Sequence, residues 1–296
     1  MPLTPPVDHL DAAGLDAARR LLEAVVAADG HRGIGMGALE LLAEPGRAVA
    51  IAAPGGSGEL DGLAVGTVRD GVAWSIELTV RPERRGHGLG RALLTAILAA
   101  APDGLPPEVW AYRPGPAQHR LAAAFGLAPV RRLLHLRGGT AVQPVPAPPG
   151  VTLRGFAPGD QAGVIAVHNA AFTTELLDDD LMADRLARSF MGPGNLVVAE
   201  ADGKIIGYAW MASPRPDGEG EGGELFLLAV HPERGGGGLG RALLAAGLGL
   251  LAGRGVDRAT LYVDGANTPA VRLYERLGFT LHHTDVLLAP GGTLSW

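Results

Sequence analysis

VRPERRGHGLGRALL, residues 80–94, returns 150 residues later as VHPERGGGGLGRALL, residues 230–244. The two stretches differ only where Arg81, Arg85 and His87 give way to His231, Gly235 and Gly237. Downstream, RLAAAFGL at 120–127 is matched by RLYERLGF at 272–279, the spacing having grown to 152. The same two landmarks occur twice in the same order. Composition bias does not explain the shared Val, Pro, Glu, Arg and Leu, so the chain reads as two copies of one domain.

A length of 296 residues suits two ordinary domains. Between the copies, GGTAVQPVPAPPG at 138–150 is rich in proline and small residues and lacks periodicity. It reads as a semi-rigid linker. The expected division is therefore a first domain over 1–137, a linker over 138–150 and a second domain over 151–296.

Hydrophobic residues make up 47% of the chain and charged residues 19%, a globular composition. The net charge of −6 lacks the basic footprint that phosphate contacts need, so no nucleic-acid partner is expected. The absence of cysteine excludes disulfide scaffolds, thiolate metal sites and cysteine nucleophiles. The N-terminus, MPLTPPVDHLDAAG, has no basic and apolar signal pattern. The apolar run from Ala242 to Ala252 is too short for a membrane span. A cytoplasmic protein is expected, with no membrane partner. It is expected to be a monomer, because the duplication already pairs two domains in one chain.

In the second copy, 163–172 and 178–190 read as helices, the latter opening on Asp178, Asp179 and Asp180 as a cap and acidic first turn. NLVVAEADGKIIGYAWMAS reads as two strands around a turn at Asp202-Gly203. GELFLLAV is a strand, GLGRALLAAGLGLLAGRG a helix and ATLYVDGAN a strand. TPAVRLYERLG is a helix with Pro269 in its first turn, and GFTLHHTDVLLA a final strand. The order predicts a mixed α/β domain.

The glycine turn joins a strand to a helix. Such a turn offers free backbone N–H groups at the positive end of the helix dipole, which is a phosphate site. Glycine lets the ligand approach the backbone, and Arg234 and Arg241 add charge. The Gly-Lys-Ser/Thr ending of a P-loop is absent, and Leu stands where a dinucleotide fingerprint needs its third glycine. A plain tight strand–helix connection is the alternative, and its occurrence in both copies weighs against it.

V-x-P-x-x-R-x-x-G-x-G-R-A-L-L, followed by N-x-x-A-x-x-x-Y-x-x-L-G-F, resembles the GCN5-related N-acetyltransferase (GNAT) superfamily. The tandem arrangement resembles the mycothiol synthase family within it, most clearly in HNAAF (168–172), GGELFLLAVHPE, TLYVDGANTPAVRLYERLGF and VWAYRPGPAQHRLAAAFGL. The resemblance implies two tandem acyl-CoA N-acyltransferase domains. It also implies an acetyl-CoA-dependent N-acetyltransferase acting on the cysteinyl amine of cysteinyl-glucosaminyl-inositol.

On that resemblance, acetyl-CoA contacts in the second copy are Leu228, Ala229 and Val230 on the strand. They continue with Gly235, Gly236, Gly237, Gly238, Leu239, Gly240 and Arg241 in the turn, and Asn267, Ala270 and Arg272 by the last helix. In the first copy they are Leu78, Thr79, Val80, Arg85, Gly86, Gly88, Gly90 and Arg91. The family's Gln/Arg at the head of the turn is Arg85 in the first copy and Gly235 in the second.

Aminolysis of a thioester needs an amine freed of its proton, a donor for the developing oxyanion and an acid for the leaving thiolate. The amine asks for only mild base help, since a free α-amino group titrates near pH ~8. Glu224, six residues before Val230, is the candidate base, and the resemblance implies Tyr274 as the acid. A solvated strand-end carboxylate and a core tyrosine are the bland alternatives. At the offsets of the two landmarks, 150 and then 152, the first copy has Trp74, Ala122 and Gly115 where the second has Glu224, Tyr274 and Asn267. The second copy is therefore expected to be catalytic and the first a binding or scaffolding copy. Glu77, in a different register, is taken as structural.

The family's acceptor-contacting positions match Asp29, Glu224, Tyr262 and Asp264, whereas its acceptor lysine is Ala212 here and its segment after N-x-A-F is TTELLDDDLM. Two other classes of function stand beside this one: a tandem acetyltransferase for another small-molecule or peptide amine, and a non-catalytic acyl-CoA-binding protein. His282, His283 and Asp285 are candidate metal ligands, but neighbouring strand residues point to opposite faces, so no metal is expected. His31 and His168 have no partner evident from sequence.

Overall fold

The computed structural model describes residues 2–172, 176–214 and 222–295. The first copy runs through helices α1 (Ala12–Asp29) and α2 (Met36–Leu41) into strands β1 (Ala48–Pro54), β2 (Leu60–Arg69) and β3 (Ala73–Val80). Then follow α3 (Leu89–Ala99), β4 (Pro107–Ala111), α4 (Pro116–Ala124) and β5 (Leu127–Gly139). The second begins with β6 (Thr152–Gly155), α5 (Gln161–Ala171), α6 (Asp179–Ala187), β7 (Leu196–Ala201), β8 (Lys204–Ala212) and β9 (Gly223–Val230). It closes with α7 (Leu239–Ala252), β10 (Arg258–Asp264), α8 (Thr268–Arg276) and β11 (Thr280–Pro290). Each predicted element of the second copy is present. No helix among the described residues is long and apolar enough to cross a membrane.

Local chemistry sets the ends of these elements. Asp11 caps α1 by accepting from the Gly14 N–H at 2.8 Å, and Gly30 ends it at φ +70°. Asp178 caps α6 through the Leu181 N–H at 2.8 Å, as its acidic run predicts. Asp202 and Gly203 turn the β7–β8 hairpin with φ of +51° and +70°, the pair of left-handed residues that matches strand twist.

The chain forms two compact units, residues 1–133 with 284–296, and residues 134–283. The exchange has a simple topological form. In the first unit the strand order is β1-β2-β3-β4-β11, with Val286 of β11 opposite Ala111 of β4. In the second it is β5-β10-β9-β8-β7-β6. Each unit thus takes part of the last strand of the other repeat, 284–290 of β11 in the first and 134–139 of β5 in the second, and the stretch 138–150 lies within the second unit.

Both units carry helices on both sheet faces. In the second unit, α7 and α8 pack with Leu225, Leu261 and Val263 on one face, and α5 and α6 pack with Tyr208, Trp210 and Ala212 on the other. Leu243, Leu244, Leu248 and Leu251 of α7 are fully buried, each contributing about 1.5–3 kcal/mol. In the first unit, α3 covers Trp74 and Ile76, and α1 and α2 cover Leu63 and Val65.

Candidate active site

Strands β9 and β10 pair in parallel from Gly223↔Ala259 to Leu261↔Leu225. Beyond Leu225 they splay. The His231 N–H donates to the Ile206 carbonyl, so by strand alternation the N–H groups of Leu228 and Val230 point away from β8, into the splay. The first unit has the same arrangement: β3 and β4 pair from Trp74↔Pro107 to Ile76↔Val109.

One residue separates the two units here. The β8–β9 register steps from Trp210↔Leu227 to Met211↔Leu225, so Phe226 is an extra residue, a β-bulge. The packing agrees: Leu225, Leu228 and Val230 face the α7/α8 core, while Phe226 and Leu227 both face α5 and α6. The β2–β3 register runs from Gly62↔Val80 to Arg69↔Ala73 without a step.

The bulge decides where Glu224 points. Glu224 pairs with Ala212 on one side and Thr260 on the other. Its face is that of Thr260, and Tyr262 and Asp264 follow on the same face at two-residue spacing. The expectation that Trp74 is the counterpart of Glu224 is therefore corrected. Both pairing frames equate Glu224 with Ser75, because the constant offset of 150 ignores the bulge. Trp74 instead lies in the helix-side core, its Nε1 donating to the Ile97 carbonyl at 3.1 Å.

Tyr274 comes from the opposite face. It is 7% exposed on α8, packed with Phe279 in the α7/α8 core. Burial pushes its hydroxyl up to about 12, so the group is a proton donor across the neutral range. Glu224 and Tyr274 thus flank the sheet of the second unit from its two sides.

The glycine turn folds as its composition demands. Gly236, Gly237 and Gly238 have φ of +94°, +58° and +83°, which side chains rarely tolerate. A Cβ on Gly236 or Gly238 would meet no protein atom within 4 Å. The turn leads straight into α7, whose first N–H groups have no side-chain cap. This leaves an open cradle of amides that fits a diphosphate. Gly235 stays in the extended region, Gly240 lies in the first turn of α7, and Arg241 is exposed on it. Asn267 caps α8 by accepting from the Ala270 N–H at 3.2 Å, with Arg272 exposed one turn on. Asp264 accepts from the Ala266 N–H at 2.8 Å.

A cleft in the first unit is lined by Leu78, Thr79, Val80, Arg85, Gly86, Gly88 and Gly90, with Asp29, His31 and Tyr112. Arg91 lies over the Phe125 ring instead. Asp29 belongs to this unit, whereas Glu224, Tyr262 and Asp264 belong to the other. Its carboxylate accepts from both Arg85 terminal nitrogens, at 2.8 and 2.7 Å. That ion pair holds the acid below the usual carboxylate range. Glu77 shares a face with Ser75. It accepts from the Gly35 N–H at 2.5 Å and the Tyr112 hydroxyl at 2.9 Å, and burial pushes its carboxyl up.

Sequence reasoning missed several groups. Phe226 carries no bulge signal of its own. Asn169, inside HNAAF, clamps Leu177 twice, donating to its carbonyl at 2.9 Å and accepting from its N–H at 2.8 Å. The signal was an amide in the last turn of a helix, ahead of an aperiodic stretch. Of that stretch, 173–175 lie outside the described residues. His31 Nδ1 lies 3.0 Å from the Arg32 carbonyl, and buried His168 lies 2.6 Å from the Tyr208 hydroxyl. Asp285 belongs to the first unit, where it accepts from the Arg113 N–H at 3.0 Å. His282 and His283 do not face apart as expected: their ring centroids are 5.1 Å apart. His282 is exposed and His283 half-buried, so core packing does not hold either ring to one face.

Comparison with known proteins agrees with this architecture. The acetyltransferase (GNAT) family model matches residues 24–126 and again 164–279. Mycothiol acetyltransferase of Streptomyces griseus subsp. griseus is 39% identical over 293 residues, 95% of this chain and 93% of that protein. The one from Saccharomonospora viridis is 37% identical over 96% of this chain and 97% of its own length. Among solved structures, a GCN5-related N-acetyltransferase from Sphaerobacter thermophilus superposes with a TM-score of 0.74. It is 26% identical, and the match covers 99% of this chain and 98% of that one. A tandem GNAT protein from the clavulanic acid biosynthesis pathway has the same fold, with a TM-score of 0.71 at 21% identity over 99% of this chain and all of its own. With two matches to one family model and relatives similar over nearly its whole length, the chain belongs to the GNAT acetyltransferase family and, within it, to the mycothiol acetyltransferases.

Proposed function

We propose that the second unit transfers the acetyl group of acetyl-CoA to the cysteinyl amine of cysteinyl-glucosaminyl-inositol by direct attack on the thioester. The observation that supports this most is the bulge at Phe226, which turns Glu224 toward Thr260 and Tyr262 while leaving the Leu228 and Val230 N–H groups on the splay.

In this reading acetyl-CoA supplies the acyl group as a thioester. Gly235 to Gly240, with Arg241, hold its diphosphate at the α7 N-terminus, and Leu228 to Val230 with Asn267, Ala270 and Arg272 hold the arm that follows. The Leu228 or Val230 N–H receives the thioester carbonyl. Glu224 draws the proton from the amine, a modest demand for a group titrating near pH ~8. Tyr274 returns a proton to the departing thiolate. Glu224, Tyr262 and Asp264 hold the acceptor. The first unit binds or scaffolds, since Ser75 stands where the second has Glu224. The protein works as a cytoplasmic monomer on a small-molecule acceptor.

Coenzyme A release is measured with cysteinyl-glucosaminyl-inositol, glucosaminyl-inositol and free cysteine as acceptors. Strong turnover with the first alone is the expected result. Binding of acetyl-CoA without turnover on any of them would overturn the acceptor assignment. A second reading, another amine acceptor, is favoured by Ala212: it stands directly beside Glu224 in the β8–β9 register, where the family carries a lysine.

A further inference from the structure

His135, on β5, and His282 and His283, on β11, come together in the second unit although 147 residues of sequence separate the first two. One ligating nitrogen from each lies within 4.8 Å of the others. The closest pair, His135 Nδ1 and His283 Nδ1, is 3.1 Å apart. We propose that these three imidazoles form a binding site for a single divalent transition-metal ion, Zn2+ or a neighbour of similar softness.

The geometry is near what such an ion requires. Zn–N bonds of about 2.0–2.1 Å at tetrahedral angles set neighbouring nitrogens about 3.4 Å apart. The closest pair already has that spacing. His282, exposed at the surface, has solvent room to turn its ring toward that spacing. His135 is the fixed member. It is 6% exposed, and its ring lies 4.5 Å from that of Tyr262. Neighbouring packing is tight: a Cβ on Gly138 would strike the Phe279 ring at 2.9 Å, and the Thr140 hydroxyl donates to the Val256 carbonyl at 2.5 Å.

The donor set selects the ion. Three neutral imidazoles suit Zn2+, Ni2+ or Cu2+, whereas Mg2+ and Ca2+ demand oxygen ligands. Three protein ligands leave a fourth position for water. The ion would tie the end of β5 to the start of β11, two segments far apart in the chain. Binding to the folded state alone would then raise the melting temperature.

The test uses the full chain without an affinity tag, stripped with EDTA. Zn2+ is titrated by calorimetry, and Co2+ by visible absorption, where a tetrahedral ion absorbs intensely. One ion per chain is expected, with saturating Zn2+ raising Tm by about 3 °C or more. Mg2+ should give neither heat nor shift. His282→Gln, at an exposed position, should weaken binding at least tenfold, and His282→Gln with His283→Gln should abolish it. Absence of saturable binding to the parent chain, or binding that survives the double substitution, would overturn the proposal. The melting curve of the metal-free double variant should match that of the metal-free parent, so lost binding is not mistaken for unfolding.

Discussion

Asp29 and Arg85 form a two-point ion pair in the first unit, joining the C-terminal end of α1 to the turn that follows β3. The pair sits on the cleft, with the guanidinium turned to a carboxylate of its own chain. Both side chains keep partial solvent contact, which limits the pair to about 0.2–1 kcal/mol. Urea melts of Asp29→Asn, Arg85→Ala and the double variant should show a coupling energy of that order. The sign with pH follows from the depressed Asp29 acid. The stabilisation is present above the unfolded carboxylate range and is lost as pH falls through the folded value, and Asp29→Asn should remove that acid-side loss.

Glu224 and Ser75 occupy the same place in the two units, so they make a matched pair of substitutions. Glu224→Gln should lower kcat by roughly 10²–10⁴ while acetyl-CoA binding persists. Ser75→Ala and Arg85→Ala should leave kcat within about twofold of the parent, as is usual for sites outside the chemistry. Equal loss at Glu224 and Arg85, read by coenzyme A release, would remove the assignment of chemistry to the second unit.

The repeat, the hairpin at Asp202-Gly203 and the glycine turn into α7 were legible because each shows in short stretches of sequence, with matched or turn residues a few positions apart. The face of Glu224 was not. A bulge adds one residue without a motif, yet it reverses every side chain before it. The exchange of last strands was hidden for another reason. RLLHLRGG and TLHHTDVLLA are both good final strands, and nothing local says which sheet each joins. His135 and His283 meet where the end of β5 comes to the start of β11, a contact that a 148-residue separation conceals.

Tyr274→Phe removes one hydroxyl and keeps the ring against Phe279. It should therefore leave stability within about 1.5 kcal/mol, as swaps that keep core volume usually do. Turnover should fall roughly ten- to a hundredfold, with the KM for acetyl-CoA little changed. Because burial holds the hydroxyl up at about 12, the alkaline limb of the parent's pH–rate profile should show no break from this group below that value. The check is kcat against pH for parent and variant. A parallel fall in melting temperature and turnover would instead mark Tyr274 as core only.

Gly88 and Gly238 allow strain to be separated from chemistry. Both have φ of +83°, both precede the first residue of a helix, and at neither would a Cβ meet protein within 4 Å. Alanine at either should cost about 1–2 kcal/mol for the left-handed backbone alone. Gly238→Ala should in addition raise the KM for acetyl-CoA, because the space its methyl enters is the cradle ahead of α7, while the KM for the acceptor holds. Gly88→Ala should show the same loss in urea melts with unchanged kinetics, since its turn serves the unit that lacks Glu224. Gly235→Ala is the inner control: its φ of −64° suits alanine, and the nearest atom to its Cβ is the Pro232 carbonyl oxygen at 3.4 Å. It should shift stability little. If Gly88→Ala and Gly238→Ala depress turnover equally, the two turns share the work and the division of labour between the units falls.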